Sequence, residues 1–380
     1  MPDSSILSVQ TAVIGAGIAG ASVAAELADH GPVALLEAEA APGMHTTGRS
    51  AAMFALIYGP VMVRALTRAS RDFLHHPPAG FADRRLVGPR GVLMLARPDQ
   101  EAALAALFDA VGPLPSVRLV EARDMREVMP LLRPGYVCRG MHDTDCQDID
   151  VAALHQAWLR QFAHRGGRLL VNSRVCALAP AAGGWLLETK QRRVRCERVV
   201  NAAGAWADEV AMLAGARPVG LIPRRRTALT VEAPRDPAAA GWPMTVDIDE
   251  QFYLKPEAGR LLLSPGDETA CPPGDVQPEE IDVATAIDRV QRAFELPISR
   301  LSSRWAGLRS FVADREPVLG EDPCRPGFFW LAGQGGYGIQ TAPAMARVAA
   351  AAVLGRPWPA DVLAQGVTPE ALAPGRAPLR

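Results

Sequence analysis

The chain has 380 residues, of which 49% are hydrophobic and 21% are charged, and its formal net charge at pH 7 is −1. This composition is typical of a folded globular protein, and the length allows two hydrophobic cores, so an intrinsically disordered chain is excluded. The near-balanced charge gives no reason to expect nucleic acid or an anionic membrane surface as a partner.

The N-terminus and the apolar segments predict a cytoplasmic protein. Residues 1–5 lack the basic start and the apolar run of a secretory signal. The longest apolar stretches are interrupted by glycine, proline or charged residues before they reach the ~20 residues of a membrane span. The six cysteines form no CxxC pair and the seven histidines no HExxH pattern, so we expect reduced thiols and no metal site.

The first predicted elements are a strand, a glycine-rich turn with the sequence GAGIAG and a helix, over residues 9–14, 15–20 and 21–27. Gly15 permits the tight turn and Gly17 lets the backbone approach phosphates, while Gly20 allows the helix to pack closely on the strand. The N-terminus of such a helix directs free N–H groups at an anion. This order of elements predicts a bound dinucleotide.

An acidic residue ends the next predicted strand, residues 33–36. Glu37 lies 22 residues after Gly15, and this spacing suits a carboxylate that binds a ribose hydroxyl. The residues of this unit that we expect to contact the nucleotide are Gly15, Ala16, Gly17, Ile18, Ala19, Gly20, Glu37 and Ala38.

The middle of the chain alternates between predicted helices and strands. A loop of small and polar residues, 43–52, follows the second strand and is suited to lie beside a ligand. Helices are predicted at residues 60–75, 99–111 and 151–166, and strands at residues 91–96, 168–171, 185–189, 193–195 and 198–202. The small residues that follow the last strand also permit close approach to a flat or phosphorylated ligand.

The last third of the chain begins with predicted antiparallel strands at residues 227–232, 251–255 and 260–263. A late strand at residues 327–333 leads through a glycine-rich turn into a helix that is expected to end near Leu354. The tail from Trp358 onward is rich in proline and alanine and is expected to pack on the surface or to be mobile.

These elements predict an α/β fold with two parts. A parallel, Rossmann-type layer is assembled from the beginning, the middle and the end of the chain, and an antiparallel sheet is assembled from the segments between them. The predicted nucleotide-binding domain comprises residues 1–85, 145–222 and 300–380, and the predicted substrate-binding domain comprises residues 86–144 and 223–299.

Five motifs span nearly the whole chain: GAGIAG at 15–20, TGRSAA at 47–52, NAAGAW at 201–206, WAGLR at 305–309 and GGYGIQT at 335–341. In this order they resemble the D-amino-acid oxidase superfamily of FAD-dependent oxidoreductases, most of all the catabolic D-arginine dehydrogenases and D-amino acid dehydrogenases. A nicotinamide enzyme would place a second mononucleotide-binding half directly after the first, whereas in this chain the loop at residues 43–52 follows the second strand. The resemblance implies a GR2-like FAD-binding domain and an antiparallel-sheet substrate domain.

The resemblance implies an extended FAD whose isoalloxazine lies between residues 50–52 and 335–341. A helix that begins after Gly338 would direct N–H groups at flavin N1 and O2. No cysteine lies between Leu308 and Leu319, and His45 fits an ordinary polar loop, so we expect non-covalent FAD. Further implied contacts are Thr47, Gly48, Arg49, Ser50, Ala51, Ala52, Val175, Ala202, Ala203, Gly204, Trp206, Gly307, Arg309, Gly335, Gly336, Tyr337, Gly338, Ile339, Gln340 and Thr341.

The resemblance also implies that Arg226 and Arg309 bind the carboxylate of an amino-acid substrate, because a guanidinium offers a planar fork of donors. Tyr253 would add a hydroxyl to the same carboxylate. Judged from the residues alone, the basic run 224–226 also fits a solvated face, and Arg309 also fits a buried structural ion pair.

The other implied site residues surround this carboxylate position. Tyr58 and Gln340 would line the site, and the Gly336 carbonyl would accept a hydrogen bond from the substrate amine. The implied pocket residues for the substrate side chain are Met53, Val92, Met244 and Val246.

The implied reaction is the oxidative deamination of a D-amino acid. Hydride would leave Cα for flavin N5 while the neutral amine forms an imine, which water would convert to a 2-keto acid and ammonia. This chemistry needs no strong side-chain base, so the protein would contribute orientation, charge pairing and exclusion of water.

Two positions depart from the relatives that use arginine. Val92 stands where those relatives have an acidic residue for the distal cation of the substrate, and Met53 stands in place of a histidine near the flavin. Loss of the acid removes a charge-assisted hydrogen bond of about 1.5–3 kcal/mol. We therefore expect a neutral or apolar side chain, and the alternative is that Asp83 or Asp143 supplies the charge from another direction.

Other functions fit parts of the same pattern. A flavin-dependent 2-hydroxy-acid oxidoreductase would need a base such as histidine near the flavin, which Met53 disfavours. A cyclic or secondary amino acid, of the sarcosine or proline type, is a further alternative, and a non-catalytic FAD-bearing subunit would expose a large apolar patch. A quinone, a dye or oxygen as electron acceptor, and a monomer or a homodimer, are all compatible with the sequence.

Overall fold

The computed structural model describes residues 6–112 and 114–379. Its strands are β1 (Ile6–Ile14), β2 (Val33–Leu36), β3 (Met53–Phe54), β4 (Val87–Pro89), β5 (Val92–Ala96), β6 (Val117–Glu121), β7 (Arg139–Asp143), β8 (Gln147–Ile149), β9 (Arg168–Leu170), β10 (Val175–Ala181), β11 (Gly184–Thr189), β12 (Arg193–Asn201), β13 (Ile222–Glu232), β14 (Met244–Asp247), β15 (Tyr253–Glu257), β16 (Arg260–Ser264), β17 (Thr269–Ala270), β18 (Ser303–Phe311), β19 (Val318–Asp322) and β20 (Arg325–Ala332).

The helices pack around these strands and confirm the predicted mixed α/β class. They are α1 (Ile18–Ala28), α2 (Val61–His75), α3 (Glu101–Val111), α4 (Ala122–Val128), α5 (Val151–His164), α6 (Ala207–Leu213), α7 (Glu280–Ala293), α8 (Gly338–Val353), α9 (Ala360–Leu363) and α10 (Pro369–Leu372). None of these helices is both long enough and apolar enough to cross a membrane within the described residues.

The first sheet has the strand order β10-β11-β12-β1-β2-β9, and β20 pairs with β12 and with β19. Its centre is parallel, because β1 runs parallel to β12 and β2, β2 to β9, and β12 to β20. Along β1, Val13 packs into the core beneath α1, α5 and α8, whereas Ala12 and Ile14 pack into a second core on the other face. Burial on both faces explains why these strands are continuous apolar runs.

The carboxyl ends of the parallel strands meet at one edge of this sheet. β1 ends at Ile14, just before Gly15, and β2 ends at Leu36, just before Glu37. β12 ends at Asn201, and β20 ends at Ala332, just before the glycine-rich segment that leads into α8. This edge therefore gathers four segments that are distant in the sequence.

The second sheet has the strand order β17-β13-β16-β15-β14-β5-β7-β6, and β18 pairs with β13. One face carries Leu229, Leu254 and Leu263 and packs against α7. The other face carries Met94, Val246 and Tyr253 within a second apolar cluster. A small third sheet, β3-β8-β4, links the region around Met53 to this face.

Several elements differ from the sequence-based predictions. The two predicted strands at residues 193–195 and 198–202 form one strand, β12, and β13 begins five residues earlier than predicted, so Arg226 lies in mid-strand rather than at a strand start. The helices α4 and α7 were not predicted. The two-domain division given above stays a prediction.

The C-terminal tail is anchored rather than loosely placed. Val362, Val367 and Leu372 are completely buried and belong to the core that also contains residues of α2 and α8. Of the two alternatives predicted for the tail, these positions agree with packing against the rest of the protein.

Candidate functional site

A long cleft opens at the edge where the parallel strands end. Residues from the beginning, middle and end of the chain line it: Gly15, Gly17, Ile18, Ala19, Glu37, Ala38, Thr47, Arg49, Ser50, Ala51, Val175, Ala202, Ala203, Gly204, Trp206, Gly307, Arg309, Gly335, Gly336, Gly338 and Ile339. All of these are residues that the sequence predicted to contact a dinucleotide. The cleft thus runs past every one of the five motifs.

The glycine-rich turn at one end of the cleft has no room for side chains. Gly15 has a φ of +98°, and a Cβ there would lie 2.4 Å from the Ala202 carbonyl oxygen. A Cβ on Gly20 would lie 1.7 Å from the Gly15 oxygen, which fixes α1 close to the turn. Gly17 caps α1 and has no side chain of its own, the Ile18 N–H donates to the Thr47 hydroxyl at 3.0 Å, and the first turn carries no acid. This helix terminus is therefore suited to a phosphate.

Glu37 is held in place at the same end. Its Oε2 accepts a hydrogen bond from the Ala16 N–H at 2.8 Å, and its Oε1 accepts one from the Glu39 N–H at 3.0 Å. Each carboxylate oxygen retains a further lone pair for a ligand hydroxyl. The residue is 8% exposed and lines the cleft, so it can bind a ribose.

His45, in the loop after β2, forms a ring contact with Trp206 at this end of the cleft. The His45 Nε2 lies 3.2 Å from the Glu39 Oε1, and the His45 ring lies 4.8 Å from the Trp206 ring. Arg174, which sequence reasoning missed, lies over the Trp206 ring at 6.0 Å. His45 is therefore placed at the Glu37 end of the cleft.

The other end of the cleft is formed by the glycine-rich segment before α8. Tyr337 caps this helix without a side-chain hydrogen bond, and the first turn again carries no acid. Within the described chain, the Gln334 Nε2 is buried and has no partner, although Gln334 lines the cleft. This unused donor fits a ligand that brings a hydrogen-bond acceptor.

Four residues predicted to contact the cofactor lie behind the cleft wall rather than on it. Ala16 donates to Glu37, and Gly20 packs against Gly15. Gly48 donates its N–H to the Gly43 carbonyl, and the Thr341 hydroxyl donates to the Tyr337 carbonyl. Their direct contact with a cofactor stays a prediction.

A second cavity, of about 440 Å³, adjoins the cleft and shares Arg226, Tyr253 and Arg309 with it. Its lining also includes every other residue predicted for the substrate site, namely Met53, Tyr58, Val92, Met244, Val246, Gln340 and Gly336, the last of which lines the cleft as well. Ala52 and Tyr337, predicted as cofactor contacts, also line this cavity. Met94, Leu107 and Ile248 extend the apolar wall.

Arg226 and Arg309 lie on adjacent antiparallel strands. Arg226 on β13 is directly opposite Gly307 on β18, and Arg309 lies two residues further along β18. Side chains two residues apart on a strand point to the same face, so both guanidinium groups leave the sheet on one side. Both residues line both cavities.

Arg309 has no acidic partner among the described residues. Its Nη1 donates to the Tyr58 hydroxyl at 3.2 Å, and a Cβ on Gly336 would lie 2.9 Å from the same nitrogen. Burial acts to lower the pKa of Arg309, but Tyr58, Tyr253 and Glu250 raise it, and the net pKa lies above its ordinary value. The guanidinium is therefore charged and available to an anion.

Two acceptors on the segment before β17 hold the Arg226 guanidinium in place. Its Nε donates to the Asp267 carbonyl at 2.8 Å and its Nη2 donates to the Glu268 carboxylate at 3.1 Å. Arg226 is only 6% exposed, and the neighbouring Arg225 is also buried. The alternative of a solvated basic face for residues 224–226 is therefore wrong, because acidic residues far along the chain cover it.

Neighbouring groups also hold the Tyr58 phenol and the Gln340 amide of the second cavity in place. Burial is the largest cause of the raised pKa of Tyr58, and Glu250 raises this pKa further while Arg309 lowers it. The Gln340 Oε1 accepts from the Ala55 N–H at 3.1 Å, whereas its buried Nε2 has no partner within the described chain. The hydroxyl thus stays protonated, and the amide offers a free donor.

The cavity also has acidic residues that the sequence did not reveal. Glu250 and Asp314 line it, whereas the two acids weighed as alternatives do not. Asp83 is exposed and pairs with Arg160, and Asp143 accepts from the thiol of Cys146, three residues further along the chain. Glu250 follows a turn between strands, and no local pattern distinguishes it. Within the described residues no cluster of three potential metal ligands exists.

Comparisons with known proteins agree with this geometry. The sequence profile of the DAO family, described as FAD dependent oxidoreductase, matches residues 10–352. The structure superimposes on glycine oxidase from Geobacillus kaustophilus with a TM-score of 0.83 at 22% identity, covering 98% of this chain and 99% of that chain. The TM-score with L-proline dehydrogenase from P. horikoshii is 0.78 at 21% identity, covering 94% and 95% of the two chains.

The curated relatives are longer proteins. The chain is 29% identical to the tRNA 5-methylaminomethyl-2-thiouridine biosynthesis bifunctional protein MnmC of Thiobacillus denitrificans, over 96% of this chain and 60% of that protein. It is 30% identical to mitochondrial dimethylglycine dehydrogenase of Mus musculus over 39% of this chain and 17% of that protein. The chain thus spans 60% or less of the length of these relatives.

The residues of the cleft fit an extended dinucleotide, since a crowded glycine turn, a fixed acid and a second open helix terminus lie along it. The family match covers most of the chain. The chain therefore belongs to the DAO family of FAD-dependent oxidoreductases, and its cofactor is FAD.

Proposed function

We propose that the protein catalyses the oxidative deamination of a D-amino acid with a neutral or apolar side chain. The products are an imino acid, which water converts to a 2-keto acid and ammonia, and the reduced cofactor. One observation carries the proposal: Arg226 and Arg309 leave one sheet face and line both the cofactor cleft and an apolar cavity beside it.

FAD would be held without a covalent bond along the cleft. The turn at Gly15 and the N-terminus of α1 would bind the pyrophosphate, and Glu37 would bind the ribose. Residues 50–52 and 335–338 would flank the ring, and the N-terminus of α8 would stabilise negative charge on it. When bound, FAD supplies the acceptor for a hydride. The position of His45 beside Glu39, away from this end, supports a non-covalent flavin.

The substrate would be oriented by its carboxylate. Arg309 would supply the charge, and Arg226 and the hydroxyl of Tyr253 would add directed hydrogen bonds. Tyr58 accepts from Arg309 and keeps its own proton to donate. The Gly336 carbonyl would accept from the amine and the Gln340 amide would complete the site. These contacts would hold Cα in a fixed position and exclude water.

The apolar wall supports the side-chain preference. Val92 and Met94 on β5 and Met244 and Val246 on β14 line the cavity. Burying an apolar side chain against them contributes about 25 cal/mol per Å². The cavity of about 440 Å³ is also much larger than glycine requires. We therefore propose a large neutral side chain rather than glycine or a basic amino acid.

A secondary or cyclic amino acid is the second candidate substrate. The similarity to proteins named L-proline dehydrogenase, iminodiacetate oxidase and dimethylglycine dehydrogenase favours it. The same clamp would bind the carboxylate of such a substrate. A 2-hydroxy acid is disfavoured, because no histidine lines the second cavity in the described chain to take the hydroxyl proton.

Anaerobic mixing of the FAD-loaded protein with a substrate panel tests the proposal. The panel comprises D-leucine, L-leucine, D-arginine, D-proline, sarcosine and D-2-hydroxyisocaproate. We expect loss of the yellow flavin absorbance to be fastest with D-leucine. Faster bleaching by D-proline or sarcosine would support the second candidate instead. Bleaching by the hydroxy acid alone, or by none of the panel, would contradict both.

A further inference from the structure

Glu268 lies behind the pair of arginines and joins one of them to a third. Its Oε1 accepts from the Arg226 Nη2 at 3.1 Å and from the Arg315 Nη2 at 2.9 Å. Its Oε2 accepts from the Arg315 Nη1 at 3.0 Å. Glu268 lies on the segment that leads into β17, the edge strand next to β13. One carboxylate is therefore shared by two guanidinium groups.

These contacts fix the orientation of the Arg226 guanidinium. The group is planar with five N–H donors in a rigid fork, so fixing two of its nitrogens fixes the third. The Nε is bound by the Asp267 carbonyl and the Nη2 by Glu268. No described residue accepts a hydrogen bond from the Nη1, which leaves this edge of the guanidinium for a ligand in the cavity that Arg226 lines.

The segment that carries Glu268 is itself anchored. The Asp267 carboxylate accepts from the Thr227 N–H at 2.7 Å and from the Thr227 hydroxyl at 3.1 Å. The Arg224 Nη1 donates to the Glu268 carbonyl at 3.0 Å. Burial acts to raise the pKa of Glu268, but Arg315, Arg226 and Arg309 together bring this pKa below its ordinary value. Glu268 thus remains ionised at neutral pH.

The two arginines of the proposed clamp therefore differ in their charge environment. Arg226 is compensated by Glu268, whereas Arg309 has no acidic partner among the described residues. We propose that Glu268 is a positioning residue that aims the free Nη1 edge of Arg226 at the substrate carboxylate, while Arg309, which forms no ion pair within the described residues, supplies the charge. This inference rests on the proposed function, because it presumes that the two arginines bind a carboxylate.

Three substitutions distinguish the effect of Glu268 on the orientation of Arg226 from the effect of its negative charge. E268Q removes the charge and keeps the shape, and E268D keeps the charge but withdraws the carboxylate by one methylene. E279Q is the matched control, because Glu279 pairs with Arg225, the neighbour of Arg226 that lines neither cavity. The FAD content of each purified variant reports whether its cleft is intact.

The test measures the Kd of 4-methylpentanoate, a carboxylate without an amine, from the change that it causes in the flavin absorbance of the FAD-loaded protein. We expect E268Q to raise the Kd about tenfold and E268D about fivefold, and E279Q to change it less than about twofold. In an R226K background, E268Q should add less than about twofold, because its effect acts through Arg226. The limiting rate of anaerobic flavin reduction by substrate should fall less than about threefold in E268Q.

The alternative outcomes are distinct. An unchanged or lower Kd in E268Q would overturn the positioning role, and so would equal effects of E268Q and E279Q or full additivity with R226K. If E268Q fails to bind FAD, the Kd of E268D decides, and an unchanged value overturns the inference. If R226K and R309K both leave the Kd of 4-methylpentanoate unchanged, the proposed clamp itself fails, whatever Glu268 does.

Discussion

Arg309 donates a hydrogen bond from its Nη1 to the Tyr58 hydroxyl at 3.2 Å, and this contact joins a strand of the second sheet to the loop after β3. The pair lies where the cofactor cleft meets the apolar cavity. Because Arg309 forms no ion pair within the described residues, an anion that enters the cavity meets a guanidinium that no carboxylate contacts directly.

Replacing Arg309 should therefore impair substrate binding more than any other single change in the cavity. R309K keeps the charge but loses the planar fork, and R309M loses both. We expect kcat/KM for D-leucine to fall about 10-fold in R309K and about 100-fold or more in R309M, as steady-state assays with an artificial electron acceptor would measure. Equal activity of R309M and the wild type would contradict the role of Arg309.

Removing the Tyr58 hydroxyl should have a smaller effect. Y58F deletes one acceptor of Arg309 and one donor to the cavity and leaves the aromatic packing against Tyr337 in place. We expect kcat/KM to fall about 3- to 10-fold, the size expected for one hydrogen bond to a charged group. F73Y is a suitable control, since Phe73 packs against Phe81 and Trp158 in the core that also contains residues of α1, α5 and α8. A loss in F73Y as large as that in Y58F would indicate a general effect on folding.

An acid introduced at Val92 should shift the side-chain preference. Val92 is 5% exposed and lines the cavity beside Met244. We expect V92E to raise the ratio of kcat/KM for D-arginine over D-leucine about tenfold or more, because it restores a charge-assisted partner. V92Q is the matched uncharged control. The same ratio in V92E and V92Q would show that the wall at Val92 does not contact the substrate side chain.

A methyl group at Gly20 should prevent FAD binding. The added Cβ would lie 1.7 Å from the Gly15 oxygen, so α1 would have to move away from the turn that binds the pyrophosphate. We expect FAD per chain in purified G20A to fall below about a tenth of the wild-type value. In G88A, where nothing lies within 4 Å of the new Cβ, the FAD content should be unchanged. Full FAD occupancy in G20A would refute the assignment.

The rate of flavin reduction should rise with pH. Hydride transfer from Cα requires a neutral amine, so the rate should increase as the pH approaches the amine pKa. Burial raises the pKa of Tyr58, so its deprotonation is displaced to higher pH and does not cause this rise. Single-turnover reduction should therefore show the same rising profile in the wild type and in Y58F. A flat profile, or a rise that disappears in Y58F, would contradict this account.

The cofactor cleft was largely predictable from the sequence because its parts are local. The strand, glycine turn and helix at residues 6–28 follow from apolar periodicity and from the few backbone conformations that glycine alone permits. The ribose-binding role of Glu37 was predicted from its spacing of 22 residues after Gly15. The boundaries of β12 and β13 were less accurate, since a strand that pairs on both sides extends beyond its apolar run.

The surroundings of the arginines depend on distant contacts and were not predictable. Whether residues 224–226 form a solvated face or a buried one is decided by Glu268, Glu279 and Asp282, which lie 42 to 57 residues away. Glu250 lies in the connection between β14 and β15, and β14 pairs with β5, which lies far earlier in the chain and also lines the cavity. Pairing between strands that are far apart in the chain carries no signal in the local sequence pattern.

A crystal structure of the FAD-loaded protein with 4-methylpentanoate would test the central claim most directly. The account predicts the carboxylate oxygens at hydrogen-bond distance, about 2.7–3.2 Å, from nitrogens of both Arg226 and Arg309, with the apolar tail toward Val92 and the flavin ring beside Gly336. A carboxylate bound away from both arginines, or a flavin ring at the other end of the cleft, would contradict it.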